Sequence, residues 1–150
     1  MAHHGNFMAA LNILMRFVHI ISAVVLLGSV LAWLLAVTPA LAALAVAALA
    51  EDTRRKVDNA IAASLRPLAL SAMAGLLISG LYNFLNKTGL TPAYHAVIGV
   101  KFLLVLHVFA VTYIATKPDN PKRVRQLTGV AVSGVVIVLL SAVLRWLHTQ

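Results

Sequence analysis

From Phe17 to Ala50 the chain contains no Asp, Glu, Lys or Arg. An α-helix crosses the hydrocarbon of a bilayer with roughly 20 apolar residues, so this run alone is more than long enough. Lipid offers no partner to backbone N–H and C=O groups, which leaves helices and closed barrels as the only spanning solutions. Three more apolar stretches follow: "PLALSAMAGLLISGLYNFL", the run from Ala93 to Thr116, and "LTGVAVSGVVIVLLSAVLRWL". None shows the apolar/polar alternation of a barrel strand.

Composition agrees. Of 150 residues, 61% are hydrophobic and 11% charged, with a mean hydropathy of +0.94. A soluble domain of this size has too much surface to hide so much apolar material. The expectation is an all-α, integral membrane four-helix bundle, one transmembrane domain over residues 1–150, with spans at about 12–37, 67–86, 93–116 and 127–147. Pro39 interrupts the first run, and "PALAALAVAALA" either continues that helix past a kink or lies at the interface. "EDTRRKVDN" ends the apolar phase, and Pro67 suits the first turn of the second span. Ser71, Ala72, Gly75, Ser79 and Gly80 in the second span, and Gly129, Ser133 and Gly134 in the fourth, would allow close helix contact.

The net charge of +8 sits in short connections. Anionic lipid head groups therefore fit it better than nucleic acid does. Arg54, Arg55, Lys56, Arg66, Lys117, Lys122, Arg123 and Arg125 flank one side of the spans; Arg16, Lys87, Lys101 and Arg145 flank the other. Eight against four predicts an N-out, C-out protein of a bacterial inner membrane. With no cysteine, disulfides, iron–sulfur clusters and thiolate metal sites are excluded. The four acids, Glu51, Asp52, Asp58 and Asp119, are all expected in loops, so no paired-carboxylate site is foreseen within the spans.

Ionisable groups at membrane depth are costly and point to function. Arg16 and His19 fall in the outer third of the first span, Lys101 at similar depth in the third, and His107 near the middle of the bilayer. His95 joins Tyr82, Asn83, Tyr94, Arg145, Trp146 and His148 at the outer rim. An imidazole turned into a bundle can ligate haem iron, and an arginine one turn earlier would suit a propionate. The bland alternative has His19 bonded to a neighbouring helix and Arg16 snorkelling to the interface. Lys101 could meet a propionate, transfer protons or ligate iron. His107 could be a second ligand or a relay. Six residues put Lys101 and His107 about 240° apart on their helix, and His19 and His107 differ in depth by about 10 Å, so the ligand pair stays open.

"RFVHIISAVVLLGSVLAWLLAVTPAL" resembles the first span of the CopD-like membrane family and its HemJ-like relatives, with His19, Leu27–Gly28 and Pro39 in the matching places. "YHAVIGVKFLLVLHVFAV", with Lys101 and His107, is similar to their third span. "LRPLALSAMAGLLISGLYN" and "KRVRQLTGV" look like the second span and the entry to the fourth. The resemblance implies a helical bundle binding haem b at His19. The expected role is electron transfer with a quinone or external carrier, in a homo-oligomer or a larger membrane complex. Copper transport is the rival: Met15 and His19 share a helix face with Met8 upstream, and "MAHH" offers a terminal Cu(II) chelate. A non-catalytic accessory subunit is the other.

Overall fold

The computed structural model describes residues 2–46, 50–88 and 91–149, without the side chains of 2–5, 46, 148 and 149. The side chains of His3, His4 and His148, and with them the copper chelate at the terminus, lie outside the described ones. Four membrane-length helices and no strand occur among the described residues. The first is composite: α1 (Ala2–Ala32) passes through a π-helical turn (Trp33–Val37) into α2 (Thr38–Val46). Then come α3 (Glu51–Leu85), α4 (Pro92–Ala115) and α5 (Arg123–Thr149).

Pro39 explains the π-turn. It has no N–H for the carbonyl one turn back, and its ring crowds that carbonyl. The turn ahead of it widens, and Thr38 closes it by giving both its N–H and its Oγ1–H to the carbonyl of Trp33. The apolar run thus continues as helix instead of breaking.

The second span begins earlier than expected. Glu51, Asp52 and Asp58 belong to α3, and only Asp119 lies in a loop. Pro67 sits inside α3, not in its first turn. Acidic residues in the first turn favour the positive N-terminal end of a helix, and pairs one turn apart (Glu51–Arg54, Asp52–Arg55, Asp52–Lys56) support it in water. Hydropathy marks where a span enters lipid, whereas a helix stops only where its backbone bonding stops.

α1 packs along α3 and α4 along α5, each pair antiparallel; contacts between α1 and α5 and between α3 and α4 are thinner. The α1/α3 seam is made of small groups. Ala62, Ala69, Ala72 and Ser79 are buried on α3 against Ser22, Leu26, Val30 and Trp33 of the first helix. A Cβ on Gly75 would collide with the Ser22 hydroxyl, and one on Gly134 would lie 2.9 Å from Leu27. Ser71 is exposed and Gly129 faces open space, so those two do not share in the packing. The accessible surface, 9604 Å², exceeds the roughly 7,400 Å² of a compact soluble chain of this mass. Much of the excess is the outward apolar side chains of α1, α4 and α5, such as Phe17, Leu103 and Leu139, which suit contact with a lipid bilayer.

Candidate functional site

Polar chemistry gathers at the two ends of the bundle. At the end holding the N-terminal half of α1, His19 is half-buried against α3. Its Nδ1 lies 3.0 Å from Ser79 Oγ, and its ring edge would be 3.4 Å from a Cβ placed on Gly80. A serine hydroxyl has one proton. That of Ser79 is given to the carbonyl of Gly75, one turn back on its own helix. Ser79 Oγ can then only accept from the imidazole, so the proton of a neutral His19 sits on Nδ1. Nε2 is left with its lone pair. Asn12 and Tyr82 bond at 2.9 Å two turns farther along the same seam, which fixes its register.

Lys101 of α4 is half-buried and lies close enough to bear on this imidazole. Lys87 stands near Lys101, with its Nζ 4.9 Å from the ring centroid of Tyr94. The other sequence candidates are not brought to His19. Arg16 is exposed and forms no bond with described residues, so it does not share the inward direction of His19 despite lying one turn before it. His107 is exposed, on a face of α4 different from that of Lys101, as their spacing requires. His95 is exposed too, with its ring edge-on to Tyr94 at 6.5 Å. Met15 is half-buried, Met8 exposed. Among the described residues no three His, Asp or Glu side chains converge as a metal cage.

The opposite end is organised by Arg123, only 3% exposed. Its Nε donates to the carbonyl of Ala115 at 2.9 Å and Nη2 to that of Lys117 at 2.7 Å, capping orphan carbonyls at the end of α4. Nη1 pairs with the Asp58 carboxylate, Nη2 also approaches Asn59 Oδ1 at 3.4 Å, and the guanidinium lies 5.2 Å from the Trp33 ring centroid. Asn59 in turn exchanges two 2.9 Å bonds with Asp119, which holds a left-handed backbone at φ 49°. One side chain thereby joins all four membrane helices. Beside it lies a cavity of about 20 Å³, room for one water. Thr112 Oγ1 borders the cavity and has no protein partner among the described residues.

No protein-family model, curated protein or solved structure matches the chain. The chemistry of the two ends must stand on its own geometry. Arg123 has its donors committed to carbonyls, an amide and a carboxylate, which makes it a structural clamp. His19 has one nitrogen committed to Ser79 and the other without a described partner.

Sequence reasoning did not single out Arg123, Asp58 or Ser79. Arg123 looked like one of eight connection cations, and Ser79 like one small residue among five. A faint signal was there: the basic "KRVR" run immediately precedes an apolar span, and a cation at such a boundary can turn inward as well as outward.

Proposed function

We propose that the chain is a small haem-b-binding membrane protein that carries electrons, alone or as the redox subunit of a larger complex, in which His19 would hold the haem iron through Nε2. The observation that supports this is the hydrogen-bond polarity at Ser79. Ligating imidazoles characteristically give their second N–H to an oxygen, which fixes the tautomer and the ring plane. When bound, haem would supply one-electron chemistry at its iron. The chain's own residues do the positioning. Ser79 holds the proton on Nδ1, Gly75 and Gly80 let α1 and its imidazole lie close to α3, and Lys101 brings a positive charge suited to an anionic propionate.

The resemblance of the first and third spans to CopD-like and HemJ-like proteins points the same way. The Lys/Arg census supports an orientation with this end outside the cell, where a quinol or an external carrier would be the redox partner. Copper passage gains no comparable support, since Met8 is exposed and the chain has no cysteine to hold a soft ion.

Protein purified from haem-replete cells is expected to show a reduced-minus-oxidised b-type spectrum. His19→Ala should abolish or strongly alter it, while Ser79→Ala should keep it with haem bound about 10–100-fold more weakly. A wild-type protein with no Soret band, or a His19→Ala spectrum identical to wild type, would leave the accessory-subunit reading in its place.

A further inference from the structure

A groove of about 320 Å³ opens between α3 and the end of α4 at the Arg123 end of the bundle. Ala63, Arg66, Pro67 and Leu70 form its α3 wall, at the spacing of a single helix face, and Thr116 and Pro118 form the other. Leu70 and Pro67 are exposed, so the wall is apolar toward the bilayer. Arg66 lines the groove, and Lys117 lies in the chain between two of its lining residues, Thr116 and Pro118. Arg66 lies 5.1 Å and Lys117 5.3 Å from the ring centroid of one residue, Tyr113.

Neither cation has an acidic partner among the described residues. Every acid of the chain is already engaged elsewhere: Glu51 with Arg54, Asp52 with Arg55 and Lys56, Asp58 with Arg123, and Asp119 with Arg55. Two like charges are therefore gathered at one ring with no acidic partner among the described residues. The ring attracts each cation through its quadrupole but does not cancel their mutual repulsion. An anion between them would.

Depth identifies the anion. The uncharged part of α3, from Pro67 to Leu85, is about 29 Å long at the helical rise, which matches a hydrocarbon core of about 30 Å. Arg66 is thus the residue at the edge of that core, the level of the lipid phosphates. Lys117 lies two residues past the end of α4, on the same side. Below them the groove continues along apolar side chains, where an acyl chain would lie.

We propose that this groove is a binding site for one anionic phospholipid, its phosphate bridging Arg66 and Lys117 and a chain lying along Pro67 and Leu70. Basic pockets between membrane helices on the cytoplasmic side are a recognised setting for anionic head groups. The site is remote from His19 and does not depend on any cofactor there. Pro67 adds one further feature: lacking an N–H, it leaves the carbonyl of Ala63 without its usual helical donor at the groove wall, free to accept from a head-group hydroxyl. Phosphatidylglycerol carries such a hydroxyl.

The test uses the full chain in detergent, titrated with dioleoyl-phosphatidylglycerol, dioleoyl-phosphatidylcholine or inorganic phosphate. Native mass spectrometry counts bound lipid, and thermal unfolding follows its effect. One phosphatidylglycerol should be retained and should raise the unfolding temperature, with phosphatidylcholine and free phosphate doing neither. Arg66→Gln and Lys117→Gln should each weaken retention about fivefold, and the double variant should abolish it. Lys122→Gln/Arg125→Gln removes the same charge outside the groove and should retain the lipid. Equal loss in that control pair would reduce the effect to bulk charge and overturn the site, as would equal retention of phosphatidylcholine or an equal shift with free phosphate. If the double variant does not fold, the two single variants carry the decision: wild-type retention in both defeats the proposal.

Discussion

The two polar centres of this bundle are built on opposite plans. Arg123 binds four helices together through three backbone carbonyls, an amide oxygen, a carboxylate and an aromatic face. His19 makes one side-chain bond, to a serine whose own proton is already given away. A saturated guanidinium has no valence left to offer and serves the fold. A half-used imidazole, oriented by a neighbouring helix, keeps a nitrogen available for the haem proposed above. Both side chains are at least half-buried, so it is unspent bonding capacity that sets them apart.

Breaking the clamp should produce the largest effect. Arg123→Met leaves the Asp58 carboxylate and the α4 carbonyls without their donor, and loss of one member of a buried pair destabilises by about 3–5 kcal/mol. Thermal unfolding in detergent should show it as a large drop in Tm. Arg123→Lys should recover only part, since one ammonium cannot reproduce the planar fork that meets Ala115, Lys117 and Asp58 together. Full recovery by lysine would mean that charge alone matters, and the account of the clamp would need revision.

A moderate effect is expected at the seam that carries His19. Gly75→Val must push α1 from α3 at Ser22, which should destabilise by about 1–3 kcal/mol. The same substitution at Gly28, which has open space around it, should leave the Tm nearly unchanged. The pair sharpens the comparison, because Gly75→Val should also shift any haem spectrum while Gly28→Val should not.

The smallest effect belongs to His107. It is exposed on α4, away from the His19 seam, so His107→Leu should stay within about 0.5 kcal/mol of wild type and leave the spectrum as it was. A spectrum lost in His107→Leu would show that the imidazole reaches a cofactor from the outer face, and the single-centre reading would fail.

The candidate site was partly legible from residues alone. His19 and Lys101 stood out as ionisable groups within apolar runs, and the structure brings both to one end of the bundle. Arg16, His95 and His107 carried the same type of signal, yet they do not join them. Membrane depth can be counted along a chain, but the direction of a side chain around its helix depends on which neighbour packs there. Ser79 was legible only as a small residue, because its importance lies in a bond to a group 60 positions away.

The amino-acid sequence determined that this chain is helical, that it has four spans, and that one end is more basic than the other. Each follows from a local quantity: apolar length against bilayer thickness, and the position of charge relative to the runs. Tertiary structure alone decided that α1 pairs with α3 and α4 with α5. It also turned Arg123 inward, carried α3 back to Glu51, placed Pro67 within a helix, and set His19 Nδ1 against Ser79 Oγ. Inside a bilayer the lipid is as apolar as the side chains, so hydrophobicity selects no partner among helices. Close approach at glycine and serine, and the need of each buried donor and acceptor for a mate, make that choice.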